Sequence, residues 1–175
     1  QIHLNDNQIH RPDGGWKDAY DGFRLVSESP EFAGLASDDG AYTRADWDGF
    51  EDLAASHAVR IVPEIDAPAH ARSFVRWKPE LGLNNGDSDL LNLANPETIP
   101  TMKAVFAEFL PWFRGADVHF GADEYPRDHA DDYKRYFNEM AAFLKDNGKQ
   151  PRAWGQLELP RRRRRRGPAR RRLRP

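Results

Sequence analysis

Two acidic side chains, Asp123 and Glu124, stand next to each other in the stretch VHFGADEYP, where a short apolar segment ends. Hydrolysis of a glycosidic bond needs a carboxylic acid held protonated beside a second carboxylate, with aromatic side chains around the sugar. Polar or aromatic residues follow three other β-type segments as well. They are Asp6, Asp66, His70 and Trp154. The residue types therefore favour a carboxylate-based site for glycoside hydrolysis.

Other chemistries fit these residues less well. No glycine-rich loop follows a strand, so phosphate binding is disfavoured. Nucleophilic catalysis by cysteine or serine is disfavoured because the chain has no cysteine and no GxSxG motif. Metal binding by Asp6, Asp66, His70 and Asp123 stays open, although no HExxH or similar ligand spacing is present.

Each candidate also has a purely structural explanation. Asp123 and Glu124 could stabilise the N-terminus of the helix that follows them. Asp66 could cap a turn, His70 could be a satisfied buried histidine, and Trp154 could belong to the core. Their origin from separate strand ends favours an active site over four unrelated structural roles.

The elements that would position these residues alternate along the chain. Four β-type segments are predicted at 1–4, 59–65, 117–120 and 151–154, and helical patterns cover 46–58, 98–113 and 128–147, the last ending at Gly148. Strict alternation predicts a parallel sheet covered by helices, which is an α/β fold. The long loops 5–45 and 66–95 follow strands, on the side where such folds bind ligands.

Composition separates an acidic body from a basic tail. Residues 161–175 contain ten arginines and no acid, so residues 1–160 carry 16 basic against 28 acidic groups, a net charge of −12. The tail has no apolar periodicity, and we expect it to be disordered or non-native; a nucleic-acid-binding arm is the weaker alternative. No apolar run approaches the roughly 20 residues of a membrane helix, so a soluble protein is expected, with no membrane or nucleic-acid partner.

Four motifs carry a resemblance to a known family. VHFGADEY resembles the His-x-Gly-Gly/Ala-Asp-Glu signature of the family-20 glycoside hydrolases, the β-N-acetylhexosaminidases. IVPEIDAPAHA, residues 61–71, is similar to that family's segment ending in Pro-Gly-His, with Ala69 where glycine is usual. HLNDNQ, residues 3–8, resembles its run after the second barrel strand, and PRAWGQL resembles its fifth-strand segment.

The resemblance implies a partial (β/α)8 TIM barrel, about half of one, and a retaining, substrate-assisted mechanism. Glu124 would be the general acid and then the general base. Asp123 would hold the 2-acetamido group of the substrate, whose carbonyl oxygen attacks the anomeric carbon. His70 and Asp6 would form a polar relay behind Glu124, with Asp66 orienting the histidine, and Trp154 would line the acetamido pocket. Glu64 and His119 also match family positions.

The expected organisation is a partial catalytic barrel over residues 1–160, matching strands two to five, followed by the tail at 161–175. Asn7 replaces the second acid of the family's usual Asp-Asp pair. The expected partners are glycans containing N-acetylglucosamine or N-acetylgalactosamine, and no cofactor or metal is expected. A non-catalytic carbohydrate-binding or interaction protein on a truncated barrel is the alternative, and the strands outside the resemblance favour it.

Overall fold

The structure, a computed structural model, describes residues 1–154. The predicted domain boundary at residue 160 and the predicted disorder of 161–175 lie outside the described residues and stay predictions. None of the helices within 1–154 is long and apolar enough to cross a membrane.

A four-stranded parallel sheet forms the centre of the described region, in the spatial order β1-β4-β5-β6. An antiparallel pair, β2 with β3, stands beside it. The six strands are β1 (Ile2–His3), β2 (Asn5–Asn7), β3 (Asp21–Phe23), β4 (Pro63–Ala67), β5 (Asp117–Gly121) and β6 (Gln150–Arg152). The central strands are joined by helical connections and follow one another in sequence, as neighbouring strands of a (β/α)8 barrel do.

Four α-helices complete the alternation: α1 (Arg44–Ser56), α2 (Arg72–Trp77), α3 (Thr98–Phe109) and α4 (Ala130–Asp146). Thr43 begins α1 with a capping box, in which its hydroxyl accepts a hydrogen bond from the backbone N–H of Asp46. The predicted helix 98–113 ends earlier, at Phe109, and continues as a single 3-10 turn because Pro111 has no N–H to donate. After α4, Gly148 has a φ of 74°, as its predicted role at the helix end requires.

The second strand was predicted too early in the sequence. Val59 lies outside β4 and is 56% exposed. Its backbone N–H donates to the carbonyl of Ala54 at 2.9 Å, so Val59 belongs to the turn that closes α1. The loops predicted at 5–45 and 66–95 also contain regular structure, namely the β2–β3 pair and α2. Those elements are only 3, 3 and 6 residues long, so they are too short to leave a periodic signal in the sequence.

Side chains of β5 point alternately to two faces of the sheet: one packs against α4, and the other is the inner face. Phe120 packs on Phe137 of α4, with ring centroids 5.2 Å apart. Because successive side chains of a strand point to opposite faces, His119 points away from α4. The strand register places His3 beside Glu64 and Glu64 beside His119. The inner face of the sheet therefore carries a row of ionisable side chains at one level.

Candidate active site

Three of the predicted site residues meet although they are far apart in sequence. His70 lies between two carboxylates: its Nδ1 atom is 3.1 Å from Oδ1 of Asp6, and its Nε2 atom is 3.4 Å from Oε2 of Glu124. Asp6 comes from β2, His70 from the loop after β4, and Glu124 from the loop after β5. The Glu124 side chain is 63% exposed, so its carboxyl can reach a bound ligand.

The backbone after β5 turns sharply and separates the two adjacent acids. Gly121, Ala122 and Glu124 all have positive φ, at 68°, 68° and 48°. Such conformations are uncommon for residues other than glycine and cluster at functional sites. As a result Glu124 is exposed, while Oδ1 of Asp123 is buried without a hydrogen-bond partner among the described residues.

The helix-capping explanation for the paired acids does not hold. The helix α4 begins only at Ala130, and the acids in its first turn are Asp131 and Asp132. The effect of a charge on a helix terminus is confined to the first turn. Asp123 and Glu124 therefore lie too early in the chain to act in this way.

Asp66, His70 and Asp123 form a compact group whose ligand atoms lie within 4.8 Å of one another. Burial, together with the negative charge of Asp123, raises the pKa of Asp66 from its ordinary value of 3.8 to about 7. Burial likewise raises the pKa of Asp123. For His70, burial alone lowers the pKa, but the carboxylates of Asp66 and Asp6 outweigh it and the net direction is upward.

Gly121 is required by the position of Asp66. A Cβ atom placed on Gly121 would lie 1.5 Å from Oδ1 of Asp66 and 2.9 Å from its Cα. Contacts this short cannot exist, so only glycine leaves room for the buried carboxyl. The glycine of the VHFGADEY motif thus has a physical role, which is to admit the Asp66 side chain between β4 and β5.

Asn5 is a site residue to which the sequence assigned no role. This buried amide donates to the backbone carbonyls of Asp66 and His70, at 2.8 and 3.0 Å, and accepts from the N–H of Asp66 at 2.7 Å. It therefore fixes the segment that carries both Asp66 and His70. The Oδ1 atom of nearby Asn7 accepts a hydrogen bond from the backbone N–H of Arg72.

Trp154 stands at the inner face and is 43% exposed, so it is not a core residue. Its ring packs against His119, with centroids 4.8 Å apart, and its Nε1–H donates to Oε1 of Glu64 at 2.7 Å. His3, a second residue without a predicted role, lies 3.0 Å from the other oxygen of Glu64. The hydrogen bond with Glu64 is the main cause that raises the pKa of His3, to about 9.

Two groups of side chains have the composition of cation sites within 1–154: His3 with Glu64 and Asp66, and Asp66 with His70 and Asp123. Most of these ligand atoms already have partners. Both ring nitrogens of His70 face carboxylates, and both oxygens of Glu64 face nitrogen donors. We therefore assign a metal to neither group.

Comparison with known proteins identifies the family. Residues 3–160 match the model of glycosyl hydrolase family 20, catalytic domain, which is most of the chain. The chain belongs to this family. The predicted partial (β/α)8 barrel and the predicted family-20 relationship are thereby confirmed.

Curated and solved relatives match this chain over part of their own length. The β-hexosaminidase of Akkermansia muciniphila is 26% identical, over 87% of this chain and 37% of its own length. The solved chitobiase of Flavobacterium johnsoniae is 26% identical with a TM-score of 0.65, covering 76% of this chain and 25% of its own. A mutant Streptomyces plicatus β-hexosaminidase in complex with its product GlcNAc has a TM-score of 0.67 and 23% identity, covering 78% and 31%.

The chain therefore spans well under two thirds of the length of the relatives that it matches.

Proposed function

We propose that this chain carries the acid and acetamido-binding residues of a β-N-acetylhexosaminidase, which removes terminal N-acetylhexosamine from glycans with retention of configuration. The observation that supports this most is the position of Glu124, exposed at the end of the contacts from Asp6 through His70, directly beside Asp123, whose Oδ1 atom is buried. The proposed substrates are glycans ending in N-acetylglucosamine or N-acetylgalactosamine, and GlcNAc is the product bound to the Streptomyces plicatus relative.

Glu124 serves as general acid and then as general base. In the first step the glycosidic bond breaks and the leaving oxygen takes the proton of Glu124. In the second step a water attacks the anomeric carbon and breaks the bond that the acetamido oxygen formed to it in the first step, and Glu124 accepts the proton of the water. His70 stands 3.4 Å from Oε2 of Glu124 and stabilises the carboxylate between the two steps, while Asp6 holds the imidazole from its other nitrogen.

Asp123 binds the 2-acetamido group. Its buried Oδ1 atom has no hydrogen-bond partner among the described residues, so it can accept the amide N–H of the sugar. The carbonyl oxygen of the same group then forms the bond to the anomeric carbon. This mechanism needs no enzyme nucleophile, which explains why the two acids can be neighbours in sequence. Asp66 lies against Asp123 and His70, and Trp154 lines the pocket for the acetamido methyl group.

Matched aryl glycosides test this proposal. We expect the protein to hydrolyse 4-nitrophenyl N-acetylglucosaminide and to leave 4-nitrophenyl glucoside almost untouched, because the glucoside has no acetamido oxygen. Asp123→Asn should slow the first step whatever the leaving group. Glu124→Gln should cost most with leaving groups of high pKa, which need protonation, and least with activated aryl groups.

Two results would count against the proposal. Comparable rates on the two sugars would exclude participation of the acetamido group. Binding of GlcNAc without turnover, measured by calorimetry, would instead favour a non-catalytic carbohydrate-binding protein.

A further inference from the structure

The contacts that end at Glu124 continue in the opposite direction beyond Asp6. The Oδ2 atom of Asp6 lies 3.4 Å from Nε2 of His3, and Nδ1 of His3 lies 3.0 Å from Oε2 of Glu64. Carboxylates and imidazoles thus alternate over five residues, in the order Glu64, His3, Asp6, His70, Glu124. The last three belong to the proposed acid side of the site; His3 and Glu64 have no role in the mechanism above.

We propose that His3 and Glu64 are positioning residues that join the acid side of the site to Trp154, so that one connected network holds both. The inference rests on the proposed function for its catalytic meaning. The network itself is a structural statement that can be tested without turnover.

Glu64 is the buried centre of this network. Its side chain is only 1% exposed, and it receives donors from the amide of Gln1, from His3 and from Trp154, with Nδ1 of His119 at 3.3 Å. Burial alone would raise its pKa, but these hydrogen bonds outweigh burial and lower the pKa below its usual range. A buried carboxylate is tolerated only when it is paired and hydrogen-bonded, so the position of Glu64 constrains every donor around it.

Trp154 depends on Glu64 for its orientation. The indole Nε1–H donates to Oε1 of Glu64 at 2.7 Å, its ring lies on His119, and its backbone N–H donates to the carbonyl of Gly121 at 2.9 Å. Within residues 1–154 the backbone bond fixes where the residue begins, and the indole bond together with the contact with His119 fixes the plane of the ring. Loss of the Glu64 charge should therefore loosen the ring that faces the sugar.

His3 carries the constraint from Glu64 to Asp6. The groups that face His3 are Glu64, Asp66 and Asp6; hydrogen bonding to Glu64 raises its pKa, burial opposes this, and the three negative charges add to the rise. An imidazolium between two carboxylates keeps both in place. His3 is partly exposed, so its replacement disturbs the core less than replacement of Glu64 does.

Heteronuclear NMR of the whole chain tests the network. The protein has five tryptophans, and Trp154→Phe assigns the indole N–H resonance of residue 154. In Glu64→Gln we expect that resonance to move upfield, because a bond to a carboxylate becomes a bond to a neutral amide. The titration midpoint of His3 should fall from about 9 towards 6.5.

Glu51→Gln is the matched control. Glu51 is also buried, and its Oε1 atom accepts a hydrogen bond from the backbone N–H of Arg114, far from these residues. This variant should leave both signals unchanged. If Glu64→Gln unfolds the protein, His3→Gln gives a second variant, with a smaller displacement of the same indole resonance expected.

Kinetics then test the positioning role. Glu64→Gln should raise KM and lower kcat together, by up to about 100-fold in kcat/KM, as expected when reacting groups are misplaced by about 1 Å. His3→Gln removes the link to Asp6 but leaves the bond between Glu64 and Trp154 in place, so it should lower kcat with a smaller change in KM than Glu64→Gln gives.

The NMR and kinetic results test the network, the positioning role and the proposed function separately. An unchanged indole resonance and an unchanged His3 midpoint in folded Glu64→Gln would overturn the network. Displaced signals with wild-type kinetics would overturn the positioning role. If the unmutated protein shows no turnover, the proposed function fails, while the indole and imidazole signals still decide whether the network exists.

Discussion

Substitution of Gly121 by alanine should lower the free energy of unfolding more than the same substitution at a glycine that has a positive φ but open space around it. The added Cβ would lie 1.5 Å from Oδ1 of Asp66, 2.4 Å from its Cγ and 2.9 Å from its Cα. A rotation of the side chain could relieve the first two contacts. The third involves the backbone of β4, so relief requires the two strands to move apart.

The expected cost has two parts. A residue with a Cβ atom at positive φ costs about 1–2 kcal/mol. Forcing an additional methyl group into a packed region costs about 1–3 kcal/mol more. We therefore expect Gly121→Ala to lower the free energy of unfolding by about 2–5 kcal/mol, a large part of the roughly 5–15 kcal/mol typical of a domain.

Gly148→Ala is the matched control, because Gly148 has a similar φ of 74° with no atom within 4 Å of the added Cβ. It should lose only the conformational part, about 1–2 kcal/mol. Urea unfolding followed by circular dichroism measures both variants. An equal loss in the two variants would refute the claim that Asp66 occupies the space beside Gly121. Adding Asp66→Ala to Gly121→Ala should also cost less than the sum of the single losses.

Two further predictions concern the same group of residues. Because the folded-state pKa of Asp66 is raised from 3.8 to about 7, its stabilising contribution is full below about pH 4 and is lost as the pH rises to 7. The urea midpoint of the unmutated protein should therefore fall between pH 4 and 7, and in Asp66→Asn it should fall less. Equal falls of the midpoint in the two proteins would contradict this. Asn5→Ala removes three hydrogen bonds to the backbone of Asp66 and His70, two of them buried and one partly buried, and should cost about 2–4 kcal/mol. Asn147→Ala, which removes one exposed hydrogen bond, should change stability by less than about 0.5 kcal/mol, and a similar loss in both would argue against the role of Asn5.

The sequence by itself determined the class of fold and the segments that form the site. Alternation of apolar strands and amphipathic helices is a local property, so the α/β order could be predicted without tertiary contacts. The same holds for the end of α4 shortly before Gly148 and for the position of Asp123 and Glu124 just after a strand. The motifs in these segments were also sufficient to indicate the family.

Only the tertiary structure decided which of these residues meet. His70 lies 64 positions from Asp6, and Trp154 lies 90 from Glu64, so their contacts depend on strand register and not on spacing in sequence. The contributions of Asn5 and His3 escaped prediction for the same reason. A polar residue within a strand of two or three residues has no pattern that reveals its partner.

The electrostatic state of the site was likewise decided by packing. In sequence Glu64 and Asp66 are two similar acids on one strand. In the structure donors from neighbouring strands lower the pKa of Glu64, whereas burial beside Asp123 raises that of Asp66. The hydrogen-bond donors and charges within a few ångströms of a carboxyl set such pKa shifts. They surround Glu64 and Asp66 only when β4 is packed between its neighbouring strands.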